Sequence, residues 1–232
     1  TRKESSAASD VYKRQVLVLD ESGSMSNLTN DTIGGFNSMI EKEKKLDVDA
    51  HVTTVLFNDQ YKMLYNRREL KDVRKMTDKD YTPGGMTALL DAVGRTIHKM
   101  DMVSGIHRKD KGNKVLFVII TDGEENDSRE YTYADVKKLI KDRQENAGWE
   151  FIFLGANIDA AAAAENLGID RDRAVKYKNT GSGVRANFKA VAELSDSLAK
   201  SGRVSDEWKE TVEKDEDDAA DKQSAAVTLH RR

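Results

Sequence analysis

Three apolar runs leave this chain little choice of fold. Val16–Asp20 in "QVLVLD", Val115–Ile120 in "NKVLFVIIT" and the stretch "WEFIFLGAN" show no alternation of polar and apolar positions. A strand with one wet face alternates with a period of two. A strand that is apolar throughout is buried on both faces, the habit of parallel sheets covered by helices above and below. Helical patterns separate the runs. Asp31 opens a helix with Ile33, Phe36, Met39 and Ile40 on one face, ending near Asp47. Others are predicted from about Thr87, over about 134–145, and around the five alanines Ala160–Ala164; "GVRANFKAVAELSDSLAKS" closes the series. "AHVTTVLFNDQYKMLYN" reads as a hairpin turning at Asn58-Asp59, and "AVKYK" as a last, half-polar strand. The alternation predicts an α/β sheet with helices on both faces.

The chain has 232 residues, room for one domain of about 200 residues with ragged ends. Hydrophobic residues make up only 38% against 34% charged, so a polar segment dilutes the core. Residues 1–14 have no period and no apolar face and are set aside as a tail or an added sequence. Residues 66–82 read as polar and irregular. From 202 to 232 there are nine acids and six bases with few clustered apolar residues, which predicts a mobile tail; docking of Val204, Trp208 and Val212 on the domain as one helix face, by their four-residue spacing, is the alternative. The expected domain is therefore 15–201.

Net charge is -3, with no basic excess to suit nucleic acid. No apolar run approaches 18 residues, so no membrane span is expected. The absence of cysteine removes disulfides, thiolate metal sites and cysteine nucleophiles. No secretory signal is visible, and the expected location is the cytoplasm, although the first residue is Thr1 and the natural start can lie upstream.

The first apolar run ends in "Asp20-Glu21-Ser22-Gly23-Ser24", a carboxylate and two hydroxyls at alternate positions. In a tight loop such side chains can converge on one point, and hard divalent cations such as Mg²⁺ take oxygen ligands. Taken alone the pattern is equally a turn with a serine helix cap. Two further features favour the cation. Thr87 follows "PGGM" at a helix start, and Asp122 ends the longest apolar strand in "IITDGEEN".

With "LDESGSM", "GGMT" and "IITDGEEN" in order, residues 15–200 resemble the von Willebrand factor A (vWA) domain of bacterial type, with its metal-ion-dependent adhesion site. The resemblance implies a three-layer, Rossmann-like α/β fold, mostly parallel with one antiparallel strand. It implies that Ser22 and Ser24 bind Mg²⁺ (or Mn²⁺ or Ca²⁺) directly, Thr87 directly or through water, and Asp20 and Asp122 mainly through water. It also implies a protein-binding module whose partner supplies an Asp or Glu to the metal. Relatives often work beside AAA-type ATPases or in surface and stress-response systems.

A Mg²⁺-dependent phosphohydrolase on a similar fold is the alternative. Such enzymes pair a nucleophilic aspartate with a second acid two positions on; here that position is Ser22, so no enzyme is expected. "Gly181-Ser-Gly183-Val-Arg-Ala186" matches G-x-G-x-x-A, but no further strand completes a nucleotide-binding unit, and a glycine-rich helix start is expected. Asp91 reads as an exposed or capping acid, with bracing of the metal loop as the alternative. Glu124 and Glu125 read as a solvated loop. His51, His98, His107 and His230 have no metal spacing, Trp149 is expected to cap the core, and Trp208 is placed in or near the tail.

Overall fold

A computed structural model describes residues 13–46, 49–104 and 114–214. Strand β1 (Lys13–Asp20) lies at the centre, parallel to β2 (Ala50–Phe57) on one side and to β4 (Lys114–Thr121) on the other. Strand β3 (Tyr61–Glu69) pairs antiparallel with β2 as the outer arm of the hairpin. Strands β5 (Glu150–Gly155) and β6 (Ala174–Lys176) extend the other side in parallel, giving the order β3-β2-β1-β4-β5-β6. The expected architecture is therefore present, with β3 as the one antiparallel strand.

Four helices connect the strands, α1 (Thr29–Lys44), α2 (Leu89–Ser104), α3 (Tyr133–Ala147) and α4 (Ala160–Leu167), and α5 (Gly181–Ser201) follows β6. The double burial read from β1 is literal. Leu17 and Leu19 point into a core shared with Phe36 and Met39 of α1 and Phe188 and Val191 of α5. Val16 and Val18 point the other way, into a core built with Val93 of α2, Ile140 of α3 and Ala164 of α4. Trp149 does cap this second core, stacked 6.3 Å from Phe117 and 6.0 Å from Phe151.

Strand order reverses between β1 and β4, where successive connections leave to opposite faces. A crevice then opens beyond the carboxyl ends of the strands, the usual ligand position in such sheets. Asp20 closes β1 and Asp122 follows β4, so both acids stand at this crevice.

The structure moves three expected boundaries. Lys13 and Arg14 belong to β1, because the strand pairs with Ala50 and His51 and with Lys114 and Val115 before its apolar run begins; residues 1–12 lie outside the described residues. Residues 66–82 are irregular beyond β3, yet Leu70, Val73, Met76 and Tyr81 are buried in the α1–α5 core. The segment after 202 is not wholly a tail. Residues 208–214 form a sixth helix, α6, and Trp208 and Val212 are each 1% exposed in the same core, with Val204 packed against it. Their four-residue spacing puts them on one face, and burying that face offsets the ordering of an otherwise polar segment. Residues 215–232 lie outside the described residues, as do Asp47, His107 and His230.

The glycine-rich helix start is borne out at α5. Thr180 caps it by accepting the Gly183 N–H at 3.2 Å, and a side chain at Gly183 would lie 2.0 Å from the Lys178 carbonyl oxygen.

Candidate metal centre

Asp20 is held in one orientation. Its Oδ1 accepts the Ser22 N–H at 2.7 Å, and its Oδ2 accepts the Thr121 hydroxyl at 2.6 Å. The Tyr81 hydroxyl donates to the Asp20 carbonyl at 2.7 Å, tying the strand end to the buried loop below. Burial pushes the Asp20 carboxyl above its ordinary value, against hydrogen bonds from Thr121 and Ser22.

The hydroxyls continue the chain of contacts. Ser22 Oγ and Ser24 Oγ lie 3.0 Å apart, and Ser24 Oγ donates to Asp122 Oδ1 at 2.5 Å. Asp122 Oδ2 accepts Asn179 Nδ2 at 3.3 Å, and the Asp122 carbonyl accepts Asn157 Nδ2 at 3.3 Å. Four of the five predicted residues, Asp20, Ser22, Ser24 and Asp122, are thus joined by direct contacts or through Thr121. Thr87 lies on a third loop and comes close to Gly123, next to Asp122. A Cβ at Gly123 would lie 3.7 Å from Thr87 Oγ1, and the Thr87 hydroxyl takes no hydrogen bond among the described residues.

Backbone bonds lock the loops together. Gly23 N–H donates to Gly85 O at 3.2 Å and Gly84 N–H to Glu21 O at 2.9 Å. Asn58 Nδ2 donates to Gly84 O at 2.7 Å, and Ala88 N–H donates to Asn58 O at 2.9 Å. Gly85 has φ +75, a left-handed conformation that favours glycine, and a side chain there would lie 1.9 Å from Asp59 Oδ1 and would have to displace that carboxylate. Buried Glu21 points away from the hydroxyls, toward the Thr82 N–H and, at 3.6 Å, Lys62 Nζ.

Asp91 is buried rather than exposed. Its carboxylate accepts backbone N–H groups from Arg129, Glu130 and Tyr131 at 2.9–3.0 Å. Burial alone would raise its pKa, but these three donors and Arg95 outweigh it and leave the carboxyl below its ordinary value. Glu125 is likewise not merely solvated. It accepts the Leu90 N–H at the start of α2 at 2.9 Å, and the N–H groups of Asp127 and Ser128 at 3.0 and 2.7 Å. These two acids brace the loop after Asp122.

The donor set fits a hard cation on two observations. First, Asp20 and Asp122 are both buried and have no ion-pair partner among the described residues, an arrangement that a bound cation would stabilise. Second, adjacent oxygens of an octahedron with bonds of 2.0–2.1 Å lie about 2.9 Å apart, close to the 3.0 Å between the serine oxygens. No three His, Cys, Asp or Glu side chains group as a metal site among the described residues; the candidate set is two carboxylates and three hydroxyls.

Residues 12–175 match the vWA-TerF-like family, described as the vWA found in the TerF C terminus. The chain belongs to this family. No curated protein matches it. Among solved structures it is similar to the PilB minor pilin from Streptococcus sanguinis (TM-score 0.58, 12% identity, 82% of this chain and 62% of that one). It is also similar to a von Willebrand factor type A protein from Catenulispora acidiphila (0.52, 15%, 80% and 43%) and to the ArnB paralog VWA2 from Sulfolobus acidocaldarius (0.51, 19%, 78% and 44%). At these identities the likeness speaks for the fold, and this chain spans 43–62% of those chains. No described helix is long and apolar enough to cross a membrane.

Sequence reasoning missed Thr121, Asn126, Asn157 and Asn179. Thr121 left one signal, a hydroxyl breaking an apolar strand one residue before Asp122. The asparagines left none.

Proposed function

We propose that this vWA domain is a protein-binding module whose Asp20, Ser22, Ser24, Thr87 and Asp122 hold a divalent cation, Mg²⁺ or the related Mn²⁺ or Ca²⁺, for a partner's Asp or Glu. The observation that carries this reading is the 3.0 Å Ser22–Ser24 oxygen pair beside the buried carboxylates of Asp20 and Asp122, which have no ion-pair partner among the described residues. When bound, such a cation supplies a coordination position that a partner carboxylate can take.

The chain's own residues set the character of the site. Both Asp20 oxygens and both Asp122 oxygens already accept hydrogen bonds, so these carboxylates are oriented by Ser22, Ser24, Thr121 and Asn179. The serine and threonine hydroxyls are neutral and neutralise little of a cation's charge. An incoming carboxylate therefore meets a largely uncompensated positive charge beside low-dielectric protein, where attraction far exceeds that in bulk water. Ser24 is exposed and gives the partner access. The reading is of a binder rather than a phosphohydrolase, because Ser22 stands where an acid would protonate the leaving group.

The test is a pull-down from the native host in Mg²⁺ or in EDTA, repeated with Thr87→Ala. A specific partner should be held in Mg²⁺, released by EDTA, and weakened more than the metal itself by Thr87→Ala. A partner held equally in EDTA contradicts the proposal.

A further inference from the structure

Beside the candidate metal lies a cleft of about 280 Å³ between the loop after Asp122, the end of β5 and the starts of α3 and α4. Its floor is apolar, with Leu89, Phe153 and Ile158, and Tyr133 forms an aromatic wall that is 43% exposed. Its rim carries Glu124 and Asp159, and no lysine or arginine lines it. Gly123, the residue after Asp122, belongs to this lining, so the cleft opens within one residue of a candidate metal ligand. Of the three large hydrophobic side chains exposed among the described residues, Met86 precedes Thr87 and Tyr133 walls this cleft.

The three acids at the cleft differ. Asp159 caps α4 by accepting the Ala162 N–H at 3.0 Å, and Glu125 is occupied by the start of α2. Glu124 is exposed and makes no hydrogen bond or ion pair among the described residues. The volume falls just below the range of small-molecule pockets and suits one long side chain. An aliphatic stem would cover the apolar floor while a cationic tip reached Glu124 and the Tyr133 ring.

We propose that this cleft receives an arginine of the partner, next to the carboxylate that takes the metal. A guanidinium can lie flat on Tyr133 while its planar fork pairs with Glu124, a geometry that the compact ammonium of lysine does not offer and that an apolar tip lacks altogether. The partner motif is then an acid with a neighbouring arginine. Its acidic half rests on the metal reading above, whereas the cleft can be tested without metal.

The test is a titration of the ¹⁵N-labelled protein in EDTA with N-acetyl-arginine amide, N-acetyl-leucine amide and N-acetyl-glutamate amide, followed by NMR. The arginine probe should shift the amides of Tyr133, Ile158 and Ala163 with a Kd on the order of millimolar, at least three-fold tighter than the leucine probe. Glu124→Gln should erase that preference, and Tyr133→Ala should weaken it. Equal or tighter binding of the leucine probe, or a preference that survives Glu124→Gln, overturns the assignment. A separate titration with acetate in Mg²⁺, read at the Ser22 and Ser24 amides, reports on the metal reading. Failure there leaves the cleft result standing, so the two failures are distinguishable.

Discussion

Asn126 and Thr87 hold each other's backbone in both directions. The Asn126 side-chain oxygen accepts the Thr87 N–H at 2.8 Å, and the Asn126 N–H donates to the Thr87 carbonyl at 3.0 Å. Thr87 is thereby pinned to the loop that carries Asp122, even though the glycines before it suggest freedom. Its hydroxyl makes no hydrogen bond among the described residues.

Asn126→Ala should therefore act on the metal from a distance. It strands the buried Thr87 N–H, at a cost of about 1–3 kcal/mol by the usual penalty for an unmade hydrogen bond. Metal affinity should fall about ten-fold, the lower end for residues that orient ligands. Urea unfolding and Mn²⁺ resonance on the same variant would check both. A stable variant with unchanged metal binding would show that the clamp does not set the Thr87 position.

Asp91 makes the loop after Asp122 sensitive to acid. Its carboxyl is depressed in the folded chain, as is that of Asp80 beside Arg74. The sign follows from linkage. A depressed group stabilises fully above its unfolded value, near 3.9, and that contribution disappears as pH falls through the folded value. Stability should thus decline below about pH 4, and Asp91→Asn should flatten the decline while costing about 1.5–3 kcal/mol at neutral pH. Urea midpoints at pH 7 and pH 3.5 provide the comparison. Identical pH slopes in both proteins would remove Asp91 from the account.

Trp208 fastens the end of the described chain to the α1–α5 core. Trp208→Ala should cost about 3–5 kcal/mol, as for other buried tryptophans. Ending the chain at residue 202 should lower the melting temperature by roughly 6–20 °C. Trp208→Phe should be milder, because the indole N–H has no partner to lose among the described residues. A truncated protein melting with the full chain would mean that α6 adds nothing to stability.

Much of this was legible because the informative residues are local. Val16 to Ser24 is one uninterrupted strand and loop, so apolar run, acid and hydroxyls could be read together. The α/β layering followed from strands without alternation, and both faces of β1 are indeed buried. The bracing was not legible. Thr121 to Asp20, Asn126 to Thr87 and Asp91 to the 129–131 backbone join segments remote in sequence, and a polar residue in a loop gives no hint of its partner. Trp208 was hidden for a different reason. An acid-rich composition outweighed the four-residue spacing of Val204, Trp208 and Val212, although only the face that packs matters for docking.

In the proposed site a cation is held through Asp20 and the hydroxyls around it. The most direct measurement is calorimetric titration of Mg²⁺, with Mn²⁺ resonance as a second readout, into the unaltered protein, Asp20→Ala and Asp20→Asn. Asp20→Asn keeps the side chain's shape and so separates loss of charge from loss of fold, which circular dichroism would monitor. One site of sub-millimolar to millimolar affinity, on the order expected for few directly bound charges, should be present in the unaltered protein and lost in both folded variants. No binding in the unaltered protein, or equal binding after Asp20→Asn and Asp20→Ala, would contradict the account.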